Sequence, residues 1–197
     1  MSDPIGPSRS AMLVAACRML ADNDRPGRRL CHDPYARLFV DDHAVVFARR
    51  NPGLARVIQL RTRYIDDAIT AFASDHTQAQ VVLLGAGNDA RALRLDIDAR
   101  FFEIDMPATL AHKAAVLDSS GVEMTVNRTA LPVDLTTSRF VEPLIAAGFD
   151  VSASTIVVWE GVTNYLDEPA LESTLAQIAE IVRRGGQLVV DYVRVYE

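Results

Sequence analysis

The length, composition and charge of the chain already exclude several classes of protein. A chain of 197 residues with 49% hydrophobic residues can bury one sizeable core but is short for two independent domains, so we expect a single domain. The formal net charge of −6 argues against nucleic acid or an anionic membrane as a partner, because affinity for either depends on clustered Lys and Arg. Two cysteines without a Cys/His ligand spacing predict reduced thiols in a cytoplasmic protein and no metal site.

The N-terminal part of the sequence predicts helices. Residues 1–9 contain two prolines and no apolar run, so we expect a flexible tail there and neither a signal peptide nor a membrane span. Residues 10–79 are predicted to form a helical cap, in which one helix opens at Pro52 and Gly53. Apolar residues at three- and four-residue steps predict the buried face of that helix, which comprises Val57, Ile65, Ala68 and Phe72.

Arg61 lies on this predicted buried face, four residues from both Val57 and Ile65. A charge in that position needs a partner, because an unpaired buried charge is very costly. The partner is either an acidic residue of the sheet, in a structural ion pair, or the carboxylate of a bound ligand. The sequence pattern leaves both interpretations open.

Residues 80–197 predict a core of βαβ units. Five short apolar runs, VVLL, FFEI, ALPV, TIVVW and QLVVDY, alternate with segments of helical length. Strands connected in this way pair in parallel and are covered by helices on both faces, which predicts an α/β fold with an open, doubly wound, mostly parallel sheet. Two crossover helices begin near Pro107 and Pro169. Their predicted buried faces are Leu110, Ala114 and Leu117 in the first, and Leu171, Leu175, Ile178 and Val182 in the second.

Glycines and carboxylates follow four consecutive predicted strands. Gly85 and Gly87 follow the first strand, Asp105 the second, Asp134 the third and Glu160 the fourth. Taken singly, each has an ordinary explanation, since glycines turn chains and aspartates cap helices or form turns. Ligands of an open parallel sheet bind at the carboxyl ends of its strands, so together these residues predict a ligand site.

The segment GAGNDA, with Asp105 twenty residues after Gly85, also fits a nicotinamide dinucleotide site. Asp89, however, would place a negative charge beside the pyrophosphate of such a cofactor. S-adenosylmethionine has no phosphate; its ribose diol, ammonium and sulfonium suit acidic surroundings, and its carboxylate would give Arg61 a partner. The sequence therefore favours S-adenosylmethionine as the cofactor, with an NAD-dependent oxidoreductase as the alternative.

Six motifs, in this order, resemble the leucine carboxyl methyltransferase-like family of class I S-adenosylmethionine-dependent methyltransferases: RTRYIDDAI, VVLLGAGNDARALRL, FFEIDMPATLAHKAAVL, LPVDL, WEGVTNYL and GGQLVVDYV. The resemblance is greatest to the bacterial branch of the family, which includes polyketide O-methyltransferases. It covers nearly the whole chain from Ser8 onward and implies a Rossmann-like fold. It also implies cofactor-binding roles for Arg61, Gly85, Gly87, Asp105, Asp134, Leu135 and Glu160.

Two features depart from the pattern of that family. Asn88 stands where the family usually has an apolar residue, and the chain stops just after the fifth strand, where relatives continue with an antiparallel strand pair and substrate-facing segments. We therefore expect the segment QLVVDYVRVYE to lie at an open sheet edge, with Leu188, Val190 and Val193 partly uncovered. Such an edge predicts either a homodimer or disorder of the last residues. It also leaves a catalytically silent cofactor-binding module as a further alternative.

The resemblance implies transfer of a methyl group to an oxygen of a small-molecule or carboxyl-bearing substrate. A carboxylate acceptor needs no general base, whereas a hydroxyl acceptor needs one, and Tyr165 and Glu160 are the candidates for this catalytic role. Tyr165 has an ordinary alternative, which is packing with a hydrogen-bonded hydroxyl.

Overall fold

The computed structural model of the chain describes residues 8–25, 29–123, 127–182 and 185–192. The tail predicted over residues 1–9 lies outside this part, except that Ser8 caps the first helix and Arg9 begins it. No helix in the described ranges is long and apolar enough to cross a membrane. In the same ranges, no group of three or more His, Cys, Asp or Glu side chains is arranged to hold a metal ion.

Helices make up the N-terminal layer, and strands alternate with shorter helices after it. The helices are α1 (Arg9–Leu20), α2 (Asp42–Arg50), α3 (Pro52–Asp75), α4 (Arg91–Arg94), α5 (Pro107–Ser119), α6 (Val141–Ala146) and α7 (Glu168–Ile181). The strands are β1 (Ala79–Leu84), β2 (Ala99–Asp105), β3 (Arg128–Pro132), β4 (Thr155–Trp159) and β5 (Gln187–Val190). Short 3-10 helices lie at Ala21–Asn23, Ala36–Phe39 and Thr163–Tyr165.

The five described strands form one parallel sheet in the order β3-β2-β1-β4-β5. The chain passes outward from β1 through β2 to β3, and then returns to place β4 on the other side of β1. This arrangement confirms the predicted open, doubly wound α/β fold. The strand order reverses between β1 and β4, and the carboxyl ends of these two strands are where such a sheet binds ligands.

The central strand β1 is buried on both faces. Val82 and Leu84 pack into a hydrophobic cluster that includes residues of α6 and α7. Val81 and Leu83, which point to the opposite face, pack into a second cluster with residues of α3. Burial on both faces is the reason that β1 appears in the sequence as a continuous apolar run rather than an alternating one.

The buried face of α3 differs from the predicted one. Ile65 and Phe72 are buried as expected, but Val57 is 61% exposed, so its assignment to the buried face was wrong. The first half of α3 packs against α1 instead of the sheet, and the Gln59 side chain donates a hydrogen bond to the Cys17 carbonyl at 2.8 Å. A helix that changes neighbours along its length changes its buried face as well.

Two positions of the crossover helices were also predicted wrongly. On α7, Ile178 is buried but Leu175 is 48% exposed. On α5, Leu110 and Leu117 are buried, whereas Ala114 is exposed and the neighbouring Lys113 is buried. The buried face of α5 therefore includes a charged side chain, which a search for apolar periodicity does not detect.

Lys113 is buried because Glu103 of β2 pairs with it and the Asp89 carbonyl accepts a hydrogen bond from it. Its Nζ lies 2.8 Å from Glu103 Oε2, and both side chains have 0% exposure. Arg128 of β3 donates to the same carboxylate oxygen at 2.6 Å. The two cations compensate a carboxylate that no water reaches, and loss of either leaves buried charge with fewer partners.

The edge strand β5 pairs with β4 alone among the described strands, and Leu188 and Val190 are 37% and 39% exposed. Val193 lies outside the described residues. Homodimerisation, disorder of the last residues, and the division into a cap (10–79) and a core (80–197) stay predictions.

We predict that Lys113→Met lowers the free energy of unfolding by about 3 kcal/mol or more, because it removes one partner of a buried carboxylate while keeping the side-chain volume. Denaturant unfolding followed by circular dichroism measures this change. Arg63→Met is the matched control, since Arg63 and Asp67 form an exposed pair on α3 with side chains 57% and 62% exposed. The control should unfold like the wild type; equal effects of the two substitutions would contradict the assigned role of Lys113.

Candidate functional site

The loop after β1 contains two glycines with backbone angles that favour glycine. Gly85 has φ +67° and Gly87 has φ +46°, both in the left-handed region. A Cβ added at Gly85 would overlap the Val162 side chain, and one at Gly87 would lie 3.4 Å from Ala11 Cβ. Gly85 therefore lets the loop after β4 approach the end of β1, whereas Gly87 is required by its positive φ rather than by the approach of α1.

Asp105, at the end of β2, holds this glycine loop. Its Oδ2 accepts a hydrogen bond from Gly87 N at 2.6 Å, and its Oδ1 accepts one from Met106 N at 2.7 Å. Burial raises the pKa of Asp105, and these N–H donors oppose the increase. The structure therefore brings together the glycines and the acid that the sequence predicted for one site.

Asp134 and Leu135, after β3, have visible structural roles. Asp134 Oδ1 accepts hydrogen bonds from Thr136 N at 2.9 Å and from Thr136 Oγ1 at 2.7 Å, which is the local turn that an aspartate commonly forms. Leu135 is half-buried against the hydrophobic cluster on the α6 and α7 side of the sheet. Their predicted contact with the cofactor stays a prediction.

Arg61 and Glu160 lie against each other at the switch point of the sheet. Arg61 Nε is 2.8 Å from Glu160 Oε1, and the two side chains are 24% and 11% exposed. The distance is that of an ion pair, yet neither of these two buried atoms has a hydrogen bond of proper alignment. The pair is therefore electrostatically complementary while both atoms still lack an aligned partner.

Asp191, directly after β5, is the second acidic partner of Arg61. Its Oδ2 lies 2.5 Å from Arg61 Nη1, and its Oδ1 accepts a hydrogen bond from Gly161 N at 2.6 Å. These contacts favour the structural ion pair among the two interpretations of Arg61. The hydrogen bond to Asp191 starts from Nη1, and Nη2 makes no hydrogen bond to the described residues.

Arg91 lies beneath the site with 0% exposure. Its Nη1 is 2.7 Å from Glu160 Oε2 and 2.5 Å from Asp89 Oδ2, and its Nε is 2.7 Å from Asp66 Oδ1 of α3. Burial acts to raise the pKa of Glu160, but Arg91 and Arg61 outweigh it, so the pKa lies below its usual range. Glu160 is thus an ionised carboxylate between two guanidinium groups.

The negative charge of Asp89 is balanced by arginines of the same group of ion pairs. Burial acts to raise its pKa, but Arg91 and Arg18 hold the pKa of this carboxyl well below its usual range. Its charge is balanced by its partners, so repulsion of a pyrophosphate by Asp89 is weaker than the sequence indicated.

Tyr165 lies in the 3-10 turn after β4 and is 59% exposed. This exposure does not favour the ordinary alternative for the residue, which is packing with a hydrogen-bonded hydroxyl. A catalytic role for Tyr165 stays a prediction.

Sequence reasoning missed two residues of the site. Asp191 follows a strand at the same edge as the other acids, so the strand-end argument would have found it. Arg91 gives no such signal, because an arginine at the start of a short helix is ordinarily exposed.

Comparison with known proteins identifies the family of the chain. The sequence profile of the leucine carboxyl methyltransferase family matches residues 11–179. A Streptomyces coelicolor protein, provisionally named an S-adenosyl-L-methionine-dependent methyltransferase, is 36% identical over 199 residues, which cover 93% of this chain and 65% of that protein. A Frankia alni protein with the same provisional name is 37% identical over 174 residues, covering 83% of this chain and 61% of its own.

The chain spans less than two thirds of the length of these two relatives. A crystal structure of a Thermobifida fusca protein, provisionally described as a methyltransferase, superposes with a TM-score of 0.63 at 16% identity, covering 94% of this chain and 66% of that one. At this identity the superposition supports the fold alone. The profile match and the identities above 30% show that the chain belongs to the leucine carboxyl methyltransferase family, as its motifs predicted.

Proposed function

We propose that the protein binds S-adenosylmethionine at the carboxyl edge of its sheet and transfers the methyl group to an oxygen of a carboxyl-bearing or small-molecule substrate. Membership of the leucine carboxyl methyltransferase family and the provisional names of its relatives support the reaction class. The family match also disfavours the NAD-dependent oxidoreductase that the glycine loop left open.

The arrangement of Arg61 and Glu160 carries the proposal. Arg61 Nε and Glu160 Oε1 are buried and oppositely charged, and both lack an aligned hydrogen bond. A methionine moiety has an ammonium and a carboxylate on one carbon, so it would give Glu160 a donor and Arg61 an acceptor at the same time. A nicotinamide dinucleotide offers no such pair of charges.

Asp105 suits the ribose of the same ligand. Its two oxygens accept hydrogen bonds from two backbone N–H groups and from the Thr109 side chain, and an ionised carboxylate has about four acceptor positions, so room remains for a hydroxyl donor. The carboxylate is fixed by the backbone of the glycine loop, which keeps it oriented before a ligand arrives. Asp134 and Leu135 are the residues we propose to meet the adenine.

A carboxylate is the methyl acceptor that this chemistry favours. When bound, S-adenosylmethionine supplies a methyl group activated by a sulfonium, and the chain has to align the acceptor and exclude water. A hydroxyl acceptor would also need a base, and Glu160 suits that role poorly because two arginines lower its pKa. Tyr165 is then the remaining candidate base for a hydroxyl acceptor.

Calorimetric titrations with S-adenosylmethionine, S-adenosylhomocysteine and NADH test the cofactor. We expect the first two to bind and NADH not to bind. Comparable affinities for NADH and S-adenosylmethionine would refute the proposal. Cofactor binding without turnover of any carboxylate or hydroxyl acceptor would instead favour the silent module.

Asp105→Ala tests the residue proposed for the ribose. This substitution should weaken the binding of S-adenosylmethionine by about 1 to 3 kcal/mol through loss of charge-assisted hydrogen bonds, with the circular dichroism spectrum preserved.

A further prediction concerns Arg61 as the partner of the cofactor carboxylate. Arg61→Met should weaken binding of S-adenosylmethionine far more than binding of decarboxylated S-adenosylmethionine, because only the former has the carboxylate. Arg63→Met, two residues further along α3 and exposed, serves as the control and should change neither dissociation constant. Equal losses for the two ligands would mean that Arg61 acts only through its ion pairs with Glu160 and Asp191.

A further inference from the structure

Arg91 joins three segments of the chain that are distant in sequence. It begins α4, immediately after the glycine loop, and it contacts Asp66 of α3, Asp89 of the loop and Glu160 after β4, all within 2.7 Å. The Arg91 side chain is 1% exposed, so water does not share these contacts. A buried cation with three carboxylate partners fixes the positions of all of them.

The two carboxylate oxygens of Glu160 face different arginines. Arg91 Nη1 donates to Oε2 at 2.7 Å, which leaves Oε1 on the side of Arg61, where it has no aligned hydrogen bond. A glutamate side chain has three rotatable bonds, and a short contact to a buried guanidinium removes much of that freedom. Arg91 therefore fixes which oxygen of Glu160 lies beside Arg61.

Arg91 also affects the charge of Glu160. The charged groups that face Glu160 are Arg61 of α3, Arg91 of α4, Asp89 of the glycine loop and, at longer range, Arg18 of α1. Burial and Asp89 favour the protonated form, and the three arginines favour the ionised form. Arg91 exerts the largest of the favourable effects on this carboxylate.

We infer that Arg91 is a positioning residue for the cofactor: by holding Oε2 of Glu160, it orients Oε1 of this carboxylate for the ammonium of the methionine moiety. The inference rests on the proposed function, since it concerns the same site. Arg91 itself need not touch the cofactor. Its effect passes through Glu160, which distinguishes it from a residue that only stabilises the fold.

Arg94 provides a matched control on the same short helix. Its guanidinium contacts Asp66 at 2.7 and 2.8 Å, and its side chain is 5% exposed, but it contacts neither Asp89 nor Glu160. Arg94→Met therefore removes a buried cation from the same network without removing a partner of Glu160. A purely structural effect should be similar for the two positions.

The test is the dissociation constant of S-adenosylmethionine, measured by calorimetry at several values between about pH 5.5 and 7, below the range in which an α-amino group loses its proton. The wild type and Arg94→Met should show nearly constant affinity across this range. Arg91→Met should bind about tenfold more weakly at pH 7 and lose further affinity as the pH falls. The direction follows because loss of the cation raises the pKa of Glu160, and protonation then removes the charge that attracts the ammonium.

Two further variants separate charge from orientation. Glu160→Gln added to Arg91→Met should abolish the pH dependence, because the titrating group is gone. Arg91→Lys keeps the charge but lacks the planar fork, so it should bind more weakly than the wild type with no pH dependence. Arg91→Lys also tests the positioning role if Arg91→Met does not fold.

Several outcomes would overturn the inference. Folded Arg91→Met with wild-type affinity at all pH values would do so, and so would a pH dependence of equal size in Arg94→Met. If Arg91→Met does not fold, unchanged affinity in Arg91→Lys would overturn it. A wild type that binds no S-adenosylmethionine at any pH would refute the proposed function and this inference with it.

Discussion

Buried charge ties together the segments around the carboxyl end of β1. Arg18 of α1 is 4% exposed; it contacts Asp33 at 2.8 Å and donates to the carbonyl of Asn88, in the glycine loop, at 2.8 Å. Arg91 makes comparable contacts to α3 and to the loop after β4. Because an unpaired charge in such a place costs several kcal/mol, these segments cannot shift independently without losing partners. The geometry of the candidate site depends on this set of pairs remaining complete.

Two carboxylates at the same edge are held in different ways, and this difference matches two kinds of ligand group. Asp105 is fixed by backbone N–H donors, and burial raises its pKa. Glu160 is fixed by guanidinium groups, which outweigh burial and lower its pKa. The first arrangement suits neutral hydroxyl donors such as a ribose diol, and the second keeps a full negative charge for a cation. A ligand that carries both a hydroxyl pair and a cation would contact both carboxylates at this edge of the sheet.

The sequence predicted the parallel sheet because strands buried on both faces are apolar throughout, and it predicted Asp105 beside the glycine loop because both follow strands that end at one edge. The sequence-based prediction of buried helix faces failed at positions where the neighbouring elements, rather than the apolar periodicity, determine burial. Val57 is exposed because the start of α3 packs on α1, and Lys113 is buried because the Glu103 carboxylate and the Asp89 carbonyl accept its hydrogen bonds. The partners of Arg61 depend on distances across the fold, which a pattern along the chain does not contain. The cofactor contacts of Asp134 and Leu135 stay predictions.

The crystal structure of the chain bound to S-adenosylhomocysteine is the measurement that tests the central claim most directly. The claim is that this edge of the sheet recognises a ribose through Asp105 and an amino acid moiety through Arg61 and Glu160. The predicted result places the ribose hydroxyls within hydrogen-bond distance of Asp105, the ligand ammonium on Glu160 Oε1 and the ligand carboxylate on Arg61. A ligand bound away from the carboxyl ends of β1, β2 and β4, or one that leaves the Arg61–Glu160 pair without a contact, would contradict it.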